Sequence, residues 1–180
     1  MTRRFSLAFL FLFLLSAQLT FAQTAQFPIV KGFGGIYEIK DAVERPDPSL
    51  EYKIMVDLST GADSPAEISR WVDNVARLMN LHGLAGVPKE RLHVKVVVHG
   101  GAIFTLLTDE KHQERSKVDN PNLKAYEALI ASGAEIFVCG QSMVARNLDK
   151  KDLLPGVKIA HSALTTIITY VPQGYTLLKL

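Results

Sequence analysis

Short apolar segments rich in β-branched residues alternate with segments of helical periodicity along most of the chain. The strand-like segments are, in chain order, 52–59, 91–100, 135–139, 157–162 and 175–180. In most of the segments between them, apolar residues recur every three or four positions, as on one face of a helix. Strands that are apolar on both faces and alternate with helices are typical of a parallel sheet between helix layers. The sequence therefore predicts an α/β fold.

The first long helix has a recognisable start in the sequence. Ser64 can cap it, Pro65 suits its first position, and Glu67 can reach back to the cap. The pattern predicts a helix from there to His82-Gly83. A later helix is predicted to open at Asn120-Pro121.

The segment 108–120 is polar throughout. It predicts a surface loop or a frayed helix end, with His112 solvated.

Residues 1–22 have the three parts of a secretory signal peptide. Arg3 and Arg4 precede the apolar run 7–15, and small residues follow at Thr20 and Ala22. The run is shorter than the ~20 residues of a membrane-spanning helix. We expect cleavage before Gln23 and export to the periplasm; an uncleaved anchor is the alternative. Residues 23–50 then form an N-terminal extension, with a short strand around 35–40, and 51–180 form the main domain.

Charge argues against one class of partner. The formal net charge of +2 equals the charge of Arg3 and Arg4, so the chain from residue 23 is nearly neutral. Electrostatic binding of nucleic acid needs clustered Lys and Arg, which argues against it here. No later segment is apolar for long enough to cross a membrane.

Cys139 is the only cysteine, although exported proteins generally use cysteines in pairs. It is therefore a buried inert thiol, an intermolecular link or a reactive group. It stands between a predicted strand and a helix, where free backbone N–H groups favour a thiolate. Gly140 would let a substrate approach the backbone and Ser142 could donate a hydrogen bond, so we expect the sulfur to be open to solvent or substrate.

The carboxyl ends of parallel strands share one edge of a sheet, where ligands collect. Polar or small residues follow four predicted strands, at Ser59-Thr60-Gly61, His99-Gly100-Gly101, Cys139-Gly140-Gln141-Ser142 and His161-Ser162. His99 could donate to a thiolate or relay a proton. A hydrogen bond to backbone is the alternative for both His99 and His161.

Three other site types fit the sequence less well. Gly140-x-Ser142 resembles half of a hydrolase nucleophile elbow, but Val144 replaces its second glycine. The loop 59–64 resembles a phosphate-binding loop, but Asp63 would repel phosphate. His99, Cys139 and His161 could bind copper or zinc together, although they lack short-range ligand spacing.

Several segments resemble the DsrE/DsrF-like family. They are "YKIMVDLS" (52–59), "VKVVVHGGAI" (94–103), "NPN" (120–122), "LIASGAEIFVCGQS" (129–142), "LLPGVKIAHSALTT" (153–166) and "QGYTLL" (173–178). Together they cover the chain from about residue 51 to 180. The resemblance implies a three-layer α/β/α sandwich with a parallel five-stranded sheet, assembled as homotrimers or hexamers.

The resemblance also implies a chemistry. In sulfur-relay members, a cysteine after a central strand carries sulfane sulfur as a persulfide, and Cys139 occupies the matching place. Arg146 follows on the next helix, and Asn147 replaces a glycine found after that arginine. The relay members act in the cytoplasm in mixed complexes, whereas this chain has the features of an exported protein.

The sequence thus predicts an exported sulfur-handling protein that needs no cofactor. Its predicted partners are small sulfur species or an acceptor thiol protein. Cys139 and His99 are the predicted catalytic residues. The predicted substrate-binding residues are Gly100, Gly140, Gln141, Ser142 and His161. The alternatives are a non-catalytic module that uses 108–120 for recognition, and a copper- or zinc-binding protein.

Overall fold

The computed structural model describes residues 23–180; the predicted signal peptide lies outside them. Its strands are β1 (Tyr52–Leu58), β2 (Leu92–Val98), β3 (Glu135–Cys139), β4 (Lys158–Ala160) and β5 (Thr176–Lys179). Its α-helices are α1 (Arg70–Leu84), α2 (Asp109–Ser116), α3 (Leu123–Ala131), α4 (Gly140–Val144) and α5 (Ala163–Tyr170). Short 3-10 helices lie at Lys89–Arg91, Gly100–Leu106, Lys150–Asp152 and Val171–Gln173.

The five strands form one sheet in the order β4-β3-β2-β1-β5, and every neighbouring pair is parallel. Val56 of β1 lies beside Val96 of β2, and Val96 lies beside Ile136 of β3. Because the strands share one direction, their carboxyl ends form one edge of the sheet. The predicted parallel five-stranded sheet is confirmed.

Helices cover both faces of the sheet, but unequally. The larger core joins one face to α1 and α3, through residues such as Val75 and Tyr126. On the other face, Met55, Val97 and Cys139 pack against α5, chiefly at Ala163. This is the expected three-layer sandwich, and its second outer layer is a helix of only eight residues. No helix in the described part of the chain is long and apolar enough to span a membrane.

The N-terminal extension is docked on α1 through Asn80, which is fully buried. The Oδ1 atom of Asn80 accepts hydrogen bonds from the backbone N–H groups of Ile29 and Val30 at 2.9 and 2.8 Å. Its Nδ2 atom donates to backbone carbonyls of the extension, including Phe33 at 2.9 Å. The strand expected around 35–40 is wrong: the pairing there is one antiparallel bridge between Gln26 and Ile36.

The helix start predicted at Ser64 is also wrong, because α1 begins at Arg70. Ser64 organises a turn instead, and its carbonyl accepts from the backbone N–H of Glu67 at 3.2 Å. Ser69 caps the helix, and its own N–H donates to Oδ1 of Asn122 at 2.7 Å. This bond to a distant residue fixes the start of the helix.

The segment 108–120 contains a helix, contrary to the loop or frayed end that its polarity predicts. Thr108 caps α2, and Asp109 and Glu110 in the first turn complement the helix dipole. His112 is only 4% exposed, so the expectation that it is solvated is wrong. A polar sequence can therefore hold one buried ring while its charged residues face solvent.

Candidate functional site

Cys139 is the last residue of β3 and the N-terminal cap of α4. The first N–H groups of a helix have no partner within it, so they can donate to a group at this position. The Ser142 hydroxyl and the backbone N–H groups of Ala163, Ser142 and Gln141 lie near the sulfur and favour its thiolate form. The Cys139 side chain itself makes no capping hydrogen bond to α4. Ala163 is the first residue of α5. Two helix N-termini therefore meet at the sulfur.

Burial and these donors act in opposite directions on the pKa of the thiol. Burial raises the pKa of Cys139, because a thiolate is poorly solvated inside a protein. The hydrogen bonds from Ser142, Ala163 and Gln141 favour the thiolate and outweigh that effect. The pKa of Cys139 consequently lies below its ordinary value. A thiolate is the nucleophilic form of cysteine.

The sulfur is less accessible than the sequence predicts. Cys139 is 5% exposed and packs against Met55, Val97 and Ala163. The expectation that the sulfur is open to solvent is wrong, because Cys139 is buried where α5 lies over this face of the sheet. The site is thus a nearly closed niche lined by hydrogen-bond donors.

A shallow cleft of about 450 Å³ lies beside this niche. It is lined by Gly140, Gln141, Met143, Val144, Leu148, Ile159, Ala160 and His161. Three predicted substrate-binding residues, Gly140, Gln141 and His161, therefore share one surface. A Cβ atom on Gly140 would lie 2.8 Å from the carbonyl oxygen of Ala160, so glycine is needed for close packing of the chain itself.

His99 is held by a carboxylate that sequence reasoning missed. Its Nε2 atom lies 2.6 Å from Oδ1 of Asp57, and the two side chains are 28% and 13% exposed. Asp57 is the only carboxylate in the apolar strand β1, which is the signal that could have identified it. Gly100, next to His99, has φ +54°, and a Cβ atom there would lie 2.9 Å from the carbonyl oxygen of Ser59.

The register places this pair near the cysteine. Val98 of β2 lies beside Val138 of β3, so the next residues, His99 and Cys139, follow at the same edge of the sheet. Side chains alternate along a strand, so Asp57 shares the face of Met55, as Cys139 does. Asp57, His99 and Cys139 thus come from three adjacent strands, and His99 hydrogen bonds to Asp57.

The other predicted site residues are placed less specifically. His161 is exposed and makes no side-chain hydrogen bond within residues 23–180. The part of the chain that the structure describes contains no group of three or more His, Cys, Asp and Glu residues that could hold a metal ion. The geometry therefore gives no support to a metal site formed by His99, Cys139 and His161.

The solved structures that are similar to this one include MTH1491 and ychN. The protein of unknown function MTH1491 from Methanobacterium thermoautotrophicum has a TM-score of 0.55 and 19% identity, covering 72% of this chain and 100% of that chain. The ychN protein from E. coli has a TM-score of 0.52 and 16% identity, covering 72% and 99%. At these identities the likeness concerns the fold.

No curated protein matches the chain. A family model described as "DsrE/DsrF-like family" matches residues 53–180, which is most of the chain and contains the whole sheet except Tyr52. The chain therefore belongs to the DsrE/DsrF-like family.

Proposed function

We propose that this chain is an exported sulfur-handling protein that carries sulfane sulfur on Cys139. The observation that carries the proposal is the position of Cys139 at the N-terminal cap of α4 and against Ala163 at the start of α5. Donors of these two helix starts lower the pKa of the thiol. These donors would also stabilise the negative charge of a persulfide. Membership of the DsrE/DsrF-like family supports the same chemistry.

The reaction is a pair of nucleophilic displacements. With thiosulfate as donor, the Cys139 thiolate attacks the outer sulfur, the sulfur–sulfur bond of thiosulfate breaks, and sulfite leaves with the electron pair. The product is a persulfide, Cys139–S–S⁻. An acceptor thiolate then attacks the outer sulfur, and the Cys139 thiolate leaves. No oxidant or reductant is consumed.

His99 would donate a hydrogen bond to the thiolate or relay a proton at the same edge of the sheet. Asp57 fixes its ring by the 2.6 Å hydrogen bond, so the imidazole is held in one orientation beside the end of β3. Gln141 and His161 line the adjoining cleft and would contact the donor or acceptor. These roles belong to the proposal.

Mass spectrometry of the intact protein tests the loading step. After incubation with thiosulfate or polysulfide, we expect a mass gain of one or more sulfur atoms that dithiothreitol removes, and no gain for Cys139→Ser. His161→Asn is a useful comparison, since it changes the cleft but keeps the thiol. Absence of any adduct, together with an ordinary thiol pKa by alkylation, would contradict the proposal.

Near-complete burial of Cys139 favours a second candidate, a non-catalytic module that binds a ligand or partner at the same edge of the sheet. Cys139→Ser would then leave binding and assembly unchanged. Under the first proposal this variant loses all sulfur transfer. Assaying both properties on one preparation of the variant separates the two functions.

Export and assembly complete the proposal. The pattern of residues 1–22 supports cleavage before Gln23 and a periplasmic location. Exposed apolar residues on α5, Leu164 and Ile168, support a homo-oligomer, which we expect to be a trimer or hexamer as in the family. Mass analysis of the protein recovered from the periplasm tests the first point: an N-terminus other than Gln23, or retention in the cytoplasm, would contradict it.

A further inference from the structure

A second cavity, of about 240 Å³, lies between the loop after β1, the 3-10 helix Gly100–Leu106 and α2. Gly61 and Gly101 contribute backbone to its wall, and Phe104, His112, Arg115 and Ser116 contribute side chains. The proposed sulfur chemistry uses none of these residues. The cavity is smaller than the roughly 300–1,000 Å³ of pockets for drug-sized ligands, which limits its occupant to a small molecule.

His112 presents an unused acceptor to this cavity. The residue is 4% exposed, and its Nδ1 atom lies 2.8 Å from the carbonyl oxygen of Val118. A carbonyl oxygen can only accept, so Nδ1 carries a proton, and in the neutral imidazole with this tautomer Nε2 is an acceptor. Nε2 has no hydrogen-bond partner among residues 23–180. It is nevertheless not fully buried, since the one fully buried side-chain nitrogen or oxygen without a partner in this range is Nε1 of Trp71. Nε2 therefore retains some accessible surface, and His112 is one of the residues that line the cavity.

Arg115, an exposed residue, supplies a positive charge at the same cavity. Its guanidinium carbon lies 3.6 Å from the centre of the Phe104 ring, in a cation–π stack. Within the described residues it forms no salt bridge, and no Asp or Glu lines the cavity. A planar guanidinium held in this way is suited to bind a carboxylate through two hydrogen bonds.

We propose that this cavity binds a small organic carboxylate that also carries a hydroxyl or amino hydrogen-bond donor. Arg115 pairs with the carboxylate, Ser116 adds a hydrogen bond, and the donor of the ligand bonds to Nε2 of His112. The apolar wall formed by Phe104, Ala62 and Pro65 accommodates a short carbon skeleton. An inorganic oxyanion would leave this wall unused.

Isothermal titration calorimetry on the protein from residue 23 onward tests the proposal with lactate, propionate and thiosulfate. Propionate has the carboxylate and lacks the donor, so we expect it to bind roughly tenfold more weakly than lactate, the effect of one hydrogen bond. Arg115→Gln should weaken lactate binding at least tenfold. Arg45→Gln, a change of the same kind on the N-terminal extension, should leave it unchanged.

His112 requires a separate readout because substitution of a buried ring affects folding as well as binding. In histidine ¹⁵N spectra, lactate should shift the Nε2 resonance of His112 and leave that of exposed His161 in place. Cys139→Ser should retain lactate binding, which separates this proposal from the sulfur chemistry.

Four results would overturn the proposal. They are equal binding of lactate and propionate, tighter binding of thiosulfate than of lactate, an unchanged affinity in Arg115→Gln, and loss of lactate binding in Cys139→Ser.

Discussion

At the scale of single residues, one side-chain donor and three backbone donors contribute to the lowered pKa of Cys139. Three of its four donors are N–H groups of Gln141, Ser142 and Ala163, which side-chain substitution does not remove. The Ser142 hydroxyl is the one donor that mutagenesis can delete. It therefore offers a direct test of how the site stabilises negative charge.

Ser142→Ala should raise the pKa of Cys139 from its lowered value, because the thiolate loses one hydrogen bond. A hydrogen bond to a charged group contributes roughly 1.5–3 kcal/mol, so alkylation by iodoacetamide at neutral pH should slow roughly tenfold or more. Rates measured across pH check this. Ser132→Ala, whose hydroxyl bonds to the carbonyl of Ile29 far from the sulfur, should match the unmodified protein. An unchanged rate profile in Ser142→Ala would contradict the assignment.

Asn80 has a structural role that can be tested in the same way. Asn80→Ala leaves the N–H groups of Ile29 and Val30 without their acceptor, and we expect it to lower the free energy of unfolding by roughly 2–3 kcal/mol. Urea unfolding gives the value. Asn74→Ala on the same helix removes no side-chain hydrogen bond between described residues and should change stability by less than about 0.5 kcal/mol. Equal effects of the two substitutions would show that docking of the extension does not contribute to the free energy of unfolding.

At the scale of elements, the sequence predicted correctly those features that depend on residues close together in the chain. The bounds of β3 are those predicted, because "EIFVC" is an apolar run after a glycine-ended helix. The start of α1 was predicted wrongly because Ser69 is fixed by Asn122, a residue 53 positions away. The contact of Asp57 with His99 likewise joins residues 42 positions apart. Sequence spacing does not reveal contacts between residues so far apart, so the pairing of His99 with Asp57 was found only from the structure.

One charged group links three neighbouring strands on the face that α5 covers. Glu135 of β3 forms salt bridges with Lys95 of β2 and with Lys158 of β4. Lys95 is 8% exposed and lies near the rings of Phe137, Tyr170 and Tyr175. A buried ammonium that loses its carboxylate partner is costly.

Glu135→Gln should lower stability at pH 7 by about 1–2 kcal/mol, a value reduced for the partial exposure of Glu135. Burial raises the pKa of Glu135, but the opposite effect of Lys158 and Lys95 is larger. The pKa of Glu135 therefore lies below 4.5. Its stabilising effect is therefore complete above pH 4.5 and is lost as the pH falls through the lowered value. The substitution should remove this acid-dependent loss, which urea unfolding between pH 3 and 7 measures.

The matched control for that experiment is Glu51→Gln. Glu51 pairs with His93 on the surface, and the two side chains are 58% and 41% exposed. Exposed pairs contribute little, so we expect a change below about 0.5 kcal/mol at pH 7. Equal changes in the free energy of unfolding for Glu135→Gln and Glu51→Gln at every pH would show that the Lys95 ammonium is not stabilised by Glu135.

At the scale of the whole molecule, the second face of the sheet has a thin cover. Only α5 lies over it within the described residues, whereas α1 and α3 share the other face. The outer side of α5 carries two exposed apolar residues, Leu164 at 75% and Ile168 at 70% exposure. A surface of this kind is more typical of an interface than of solvent-exposed protein.

Replacing both Leu164 and Ile168 with Asp should reduce the mass in solution to that of the single chain, because charge at an apolar interface opposes association. Size-exclusion chromatography with light scattering measures it. Val43→Asp changes an apolar residue that is fully exposed on the extension, and the assembly should persist. An unmodified protein that is already monomeric, or a double variant with unchanged mass, would contradict assembly through α5.

At the start of α5, a residue that packs against Cys139 is followed directly by a residue on the molecular surface. The backbone N–H of Ala163 contributes to the lowered pKa of Cys139, and Leu164, the next residue, is exposed. A second chain resting on Leu164 would press on the start of the helix that covers the thiol, so the reactivity of Cys139 would depend on the protein concentration. Labelling rates of Cys139 should then be compared only between samples of equal subunit stoichiometry.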